Sequence, residues 1–273
     1  MAIGLIAGYG NFPGLVLRAA RQAGLDVAVV AIKGEATPDF EAEAREAGAA
    51  AFGWIELGQL GACIKFLKSA GVTEATLAGG VRHARIFGGV FPDPLLLSVL
   101  MKLPAQNTDA LLAAAVAVLG DHGIKIVDST ALLPGLVARA GVLTAKAPDD
   151  AMRADFEFGY RIADSIAGKD VGQTVVVKDR AVVAVEAMEG TDATIARAGT
   201  LAGRGTRVVK VAKPEQDRRF DVPVVGLGTI EAMKASGADG LTIDADLTLV
   251  LDGDRFVAAA NDAGLVVIGR QRK

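Results

Sequence analysis

The chain has 273 residues, 51% hydrophobic and 22% charged, which excludes disorder and allows one large domain or two of the usual ~100–150 residues. A formal net charge of −3 excludes the broad basic field that nucleic-acid binding requires. The single cysteine, Cys63, excludes an internal disulfide and a cysteine-based zinc site, and 33 glycines with only 5% aromatics favour layered α/β over an aromatic-rich β-sandwich.

In chain order, residues 2–7 read as a buried strand, 8–12 as a turn, and 13–23 as a helix opened by Pro13 and closed by Gly24. The continuous apolar run 27–32 completes a parallel βαβ unit covered on both faces. A helix over 57–70 stopped by Gly71, a short strand over 74–78 broken by Gly79-Gly80, helices over 93–102 and 108–119, and a strand over 125–127 follow. Between 133 and 150 the periodicity lapses into prolines, glycines and charges, which predicts a first domain over 1–135, a linker over 136–150 and a second domain over 151–273. The second half opens with a helix over 152–166. Runs 173–177 and 181–185 follow, joined by the three-residue link Lys178-Asp179-Arg180, a hairpin signal. A helix over 191–202, a strand over 207–211 and a helix over 230–235 ended by Gly237 precede a mixed α/β tail. No leader-like opening and no apolar run of ~18–20 residues is found, so a soluble, cytoplasmic protein is expected.

Gly8-Tyr9-Gly10-Asn11-Phe12-Pro13 occupies a strand-to-helix turn, where backbone N–H groups and the positive end of a helix can meet a phosphate. Pro13 removes a donor at the third small-residue position, which weakens a dinucleotide reading but leaves phosphate binding in general. Asn11 offers a polar reader and Phe12 a stacking ring; a purely structural turn is the competing reading. Gly79, Gly80 and Arg82 fall at a carboxyl end of the sheet, where Arg82 can grip a phosphate through two parallel N–H bonds or simply be a solvated charge. Asp128-Ser129-Thr130 falls at the same edge, and Asp128 can cap the next helix as well as touch a ligand. Residues 186–192 carry Glu186, Glu189 and Asp192, suited to N-terminal capping or to a hard cation. Between Arg207 and Pro223, basic residues alternate with acids; cations for a diphosphate and the carboxylates Asp217 and Asp221 for Mg²⁺ are standard parts of phosphoryl-transfer sites. With only two histidines, a hydrolase here would be carboxylate-based.

Together Gly8–Pro13, Gly79–Arg82, Glu189–Asp192 and Gln216–Gly226 resemble, in order and over essentially the whole chain, the LpxI family of UDP-2,3-diacylglucosamine pyrophosphatases of lipid A synthesis. The resemblance implies a Rossmann-like parallel-sheet N-terminal domain and a smaller mixed α/β C-terminal domain with the active cleft between them. It implies Mg²⁺-dependent hydrolysis of UDP-2,3-diacylglucosamine to UMP and 2,3-diacylglucosamine 1-phosphate, water attacking the sugar-side phosphorus. It also implies a homodimer, peripheral at the inner face of the inner membrane. Carried over residue by residue, Asp221 becomes the first catalytic carboxylate, supported by Asp217, with Glu189 and Asp192 joining both as metal ligands. Gly8, Gly10, Asn11 and Phe12 would contact the nucleotide, and Arg82, Lys213 and Arg219 the diphosphate. Gly79, Gly80, Asp128, Ser129, Thr130, Gly190, Thr191 and Gln216 complete the expected substrate contacts. On this reading part of the mean hydropathy of +0.38 reflects a groove for two acyl chains. Two other classes stay open on the residues alone: an NAD(P)-dependent oxidoreductase with Glu35 on the ribose, and a non-catalytic module that binds the lipid-linked nucleotide.

Overall fold

The computed structural model describes residues 2–81, 92–101, 108–220 and 222–272. It divides into two compact units. The first runs to Leu133 and regains the chain at Asp217, Arg218, Arg219 and Phe220; the second takes Pro134–Gln216 and the chain from Val222 onward.

The first unit contains β1 (Ala2–Ala7), α1 (Phe12–Gln22), β2 (Asp26–Ile32), α2 (Phe40–Glu46), β3 (Ala51–Ile55) and α3 (Leu60–Ser69), then β4 (Glu74–Ala78), α4 (Pro94–Leu100), α5 (Thr108–Asp121) and β5 (Lys125–Ile126). The strands form one sheet in the order β3-β2-β1-β4-β5, every pair parallel. This is the strand order of a Rossmann-like doubly wound sheet, with its topological switch between β1 and β4. Val27–Ala31 of β2 are buried on both faces, the reason the run is continuously apolar. α1 turns Val16, Leu17 and Ala20 inward at helical spacing. α3 starts at Leu60 rather than Leu57, because Gly58 takes a φ of +103° and the Gln59 side chain accepts the Glu56 N–H at 2.9 Å. β3 has no counterpart in the hydropathy pattern: each of its residues is only half-buried, as befits an edge strand. Cys63 is a buried hydrophobe, its thiol pushed up to about 12 by burial.

The second unit contains β6 (Gly141–Val142), α6 (Asp150–Ala167), β7 (Thr174–Lys178), β8 (Ala181–Val185), α7 (Thr191–Ala202) and β9 (Arg207–Lys210), then β10 (Val224–Val225), α8 (Leu227–Ser236), β11 (Gly240–Asp244), β12 (Leu249–Val250), α9 (Asp254–Asp262) and β13 (Val266–Arg270). Six strands pair in the order β6-β13-β11-β9-β7-β8; β13, β11 and β9 are parallel, and the outer pairings are antiparallel. β10 and β12 form a separate parallel pair. The two-residue side-chain period of a strand assigns the core. Val175, Val177 and Val209 pack on one side with Met152 and Phe156 of α6, while Val176 and Val208 pack on the other with Ile195, Met233 and Phe256.

The β7–β8 link is two residues rather than three. Asp179 and Arg180 have φ of 50° and 58°, the type I′ geometry that matches strand twist. Buried Asp155 holds this turn, accepting the Arg180 N–H at 2.6 Å, the Asp179 N–H at 3.1 Å and Arg207 Nη1 at 2.7 Å. Among the described residues no helix is long and apolar enough to cross a membrane.

Candidate active site

In the first unit the turns after β1 and β4 are built against each other. Gly8 N–H donates to Ala78 O at 2.8 Å, Tyr9 N–H to Gly80 O at 2.8 Å and Gly80 N–H to Tyr9 O at 3.1 Å. A Cβ on Gly8 would strike the Gly80 carbonyl, and one on Gly80 the Tyr9 ring. Gly8, Gly79 and Gly80 therefore serve first to bring two backbones together at the switch point. Gly10 differs: its φ is +94° and nothing lies within 4 Å of where a Cβ would stand. The side of the turn open to a ligand is thus Gly10 and exposed Asn11, next to the amino end of α1. Phe12 corrects one expectation. Its ring is only 7% exposed, because the first turn of α1 folds it inward, so in this conformation it packs the core rather than offering a stacking face.

At the end of β5, Asp128 Oδ1 accepts both the Thr130 N–H at 2.8 Å and the Thr130 hydroxyl at 2.6 Å, capping the 3-10 turn Ser129–Leu132. Its other oxygen pairs with Arg218 Nε at 3.2 Å, and Arg218 Nη2 donates to Thr130 Oγ1 at 3.2 Å. Phe220 packs against the core cluster of this unit. The short segment from Asp217 is therefore seated on the carboxyl edge of the parallel sheet, and Arg218 is the cation that anchors it. Of the two adjacent arginines, the sequence reading put Arg219 at the diphosphate and gave Arg218 no role, identical neighbours being indistinguishable by type. Arg219 faces Asp217, with Nε at 3.0 Å from Oδ1 and Nη2 at 2.6 Å from Oδ2. This guanidinium holds the Asp217 carboxyl below its ordinary range. Arg82 and Asp221, the expected phosphate grip and the first-choice catalytic acid, lie outside the described residues.

In the second unit Glu186, Gly190, Thr191 and Asp192 gather where β8 hands over to α7. Gly190 has a φ of +84° at the helix amino end. Lys210, at the end of β9 and only 7% exposed, donates from Nζ to Thr191 Oγ1 at 2.7 Å. That hydroxyl donates onward to Glu186 Oε1 at 2.9 Å. Burial pushes the Glu186 carboxyl up, but the Lys210 charge and hydrogen bonds from Thr174, Thr191 and the Gln173 N–H outweigh it and hold Glu186 low. Asp192, half-buried, is raised by burial despite Lys210 and Thr229. From the sequence Glu186 reads as one of three carboxylates suited to capping or to a hard cation, and Lys210 as one cation of the charged run from Arg207; their link through Thr191 was not foreseen, although a lysine set among Val208, Val209 and Val211 on an otherwise buried strand was a signal for it. Glu189 pairs with Arg197 and accepts the Ala187 N–H at 3.0 Å; its own backbone N–H and Arg197 keep it low. Lys213 Nζ lies 2.6 Å from Asp170 Oδ1, and the Lys213 N–H donates to Gln216 Oε1 at 3.0 Å.

These partners test the expected metal ligands. Asp217 faces an arginine with both oxygens, Glu189 faces another, and among the described residues no three His, Cys, Asp or Glu side chains stand together as a metal site. The described carboxylates thus do not form a ready Mg²⁺ site.

A family model for the LpxI N-terminal domain matches residues 2–136, and one for the LpxI C-terminal domain matches 139–268. The chain belongs to the LpxI family. UDP-2,3-diacylglucosamine pyrophosphatase LpxI of Caulobacter vibrioides is similar to it, with 32% identity over 278 residues, 98% of this chain and 96% of that protein. The LpxI C-terminal match includes Arg218 and Phe220, the side chains that pack within the first unit.

Proposed function

We propose that this chain hydrolyses UDP-2,3-diacylglucosamine to UMP and 2,3-diacylglucosamine 1-phosphate in lipid A synthesis. The observation that carries the reading is the match of both LpxI domains along nearly the whole chain, together with 32% identity to a relative named for that activity. The geometry is consistent with it. Gly10 and Asn11 border an open turn at the switch point of a parallel sheet, where ligands collect, and Arg218 stands on the same edge. Water attacks the sugar-side phosphorus, the bond from that phosphorus to the bridging oxygen breaks, and UMP leaves with that oxygen. The resemblance assigns Asp221 to the reacting end; Asp217 then acts by holding Arg219 in place. Exposed Leu97 and Met101, on and just after α4, offer apolar surface to acyl chains or to a membrane. Mg²⁺ dependence, a homodimer and a peripheral place at the membrane belong to the same proposal.

Turnover in ¹⁸O-labelled water tests it: the label is expected in the sugar phosphate, and label in UMP alone overturns the point of attack. Loss of activity in EDTA and its return with Mg²⁺ is the expected result for the metal. Asp221→Ala is expected to lower kcat by several orders of magnitude while the protein stays folded, as loss of a group acting only in the transition state does; near-normal turnover removes Asp221 from the mechanism.

A further inference from the structure

The first unit holds a cavity of about 550 Å³ lined by residues 33–38 and Trp54. Lys33 directly follows β2 and Trp54 lies near the end of β3, so the cavity opens at the same carboxyl edge as the glycine turns. With strands spaced ~4.8 Å apart, it lies roughly 5–10 Å along that edge from the turn after β1.

Its one aromatic wall is held rigidly. Trp54 Nε1 donates to Glu41 Oε2 at 2.9 Å, and Glu41 is itself gripped by Arg45 at 2.7 Å. The Trp54 ring sits edge-on to Phe52 at 5.3 Å, and Phe52 edge-on to Phe40 at 6.3 Å. Trp54 is nevertheless only partly buried. A fixed, part-exposed indole in a cavity whose rim carries exposed Lys33 and Thr37 is suited to a flat polar ring with hydroxyls beside it. Of the two rings at the glycine turn, Phe12 is turned into the core and Tyr9, exposed, lies against Gly80.

We propose that this cavity takes the nucleoside of a nucleotide whose diphosphate follows the glycine turns after β1 and β4, its base stacked on Trp54. The inference rests on the reading above in one respect: it takes a uridine diphosphate to be the part of the substrate that this unit holds. The sheet edge then acts as a ruler, with base at β2 and β3, diphosphate at β1 and β4, and Arg218 beyond at β5.

Trp54 is the only tryptophan in the chain, so its fluorescence reports on this cavity alone. Titration of the full chain with UMP and with UDP is expected to quench it saturably, at the same midpoint as calorimetric binding. Trp54→Ala is expected to raise KM about 5- to 100-fold, the loss of one stacked base, with the effect on KM rather than kcat, and Trp54→Phe is expected to recover part of it. Competitive inhibition by UDP with unchanged Trp54 fluorescence overturns the cavity and leaves the hydrolase reading intact. Saturable quenching without turnover of the lipid-linked nucleotide supports the cavity and overturns the hydrolase reading. If Trp54→Ala fails to fold, the wild-type titration and Trp54→Phe still decide.

Discussion

Asp244 closes β11 with its side chain 1% exposed and Oδ2 accepting the Ala212 N–H at 2.9 Å. Burial raises its carboxyl, opposed by that hydrogen bond and by Arg272 and Arg270. A folded pKa above the unfolded value of ~3.9 means that folding disfavours the ionised form. The group's contribution is therefore complete below the unfolded pKa and is lost as pH rises through the folded one. Asp244→Asn keeps an oxygen for Ala212 and removes the charge. It is expected to equal or exceed the wild-type Tm at pH 7 and to lose that advantage near pH 4, as scanning calorimetry at the two pH values would show. At this scale the sequence discloses types but not partners. Lys213 and Arg219 both read as diphosphate cations, yet they face Asp170 and Asp217, and the first of those pairings joins residues 43 apart in the chain.

Among the elements, the handover from β8 to α7 depends on a charge supplied by β9. Lys210 and Glu186 are both buried and linked through the Thr191 hydroxyl, and removing the lysine leaves that chain of hydrogen bonds and the Glu186 charge under-compensated, at a cost of about 1–3 kcal/mol. Lys210→Met is expected to destabilise the protein by that order in urea titration at pH 7. The sign with pH follows from Glu186. Held below its unfolded value, it contributes stability that is complete above ~pH 4.3 and lost as pH falls through its folded pKa. The gap between wild type and Lys210→Met should therefore be widest at neutral pH and narrow in acid; a gap that stays constant would detach Lys210 from Glu186. Buried strands β1, β2, β7 and β9 were legible as apolar runs because both faces are covered. Half-buried β3 was not, because a two-sided, partly wet edge leaves no single hydropathy signature. The hairpin was legible, but its turn was counted one residue long, since Lys178 still pairs with Ala181 in the ladder.

On the scale of the molecule, the order β3-β2-β1-β4-β5 brings Gly10, the Trp54 cavity and Asp128 to one edge of one sheet, although 118 positions separate Gly10 from Asp128 in the chain. Among the described residues, four that arrive from far along the sequence complete the first unit. A fragment ending at residue 136 would lack the Arg218 pair and the Phe220 packing, together about 1–2 kcal/mol. Its first unit is expected to melt roughly 3–10 °C below the same unit in the whole chain. The single thiol, Cys63, buried in that unit, reads this through pulse labelling against temperature; equal midpoints would assign the four residues no part in its stability. By itself the sequence determined the two-part α/β class, the βαβ opening and the family, because local periodicity, glycine placement and motif order are properties of the linear chain. Only the tertiary structure decided that Gly8 and Gly80 hold each other, that Phe12 turns inward while Trp54 stays part-exposed at a cavity, and that Arg218 rather than Arg219 grips Asp128. Those outcomes depend on which backbone and which opposite charge lie within a few ångströms, and strand order, not sequence distance, sets that.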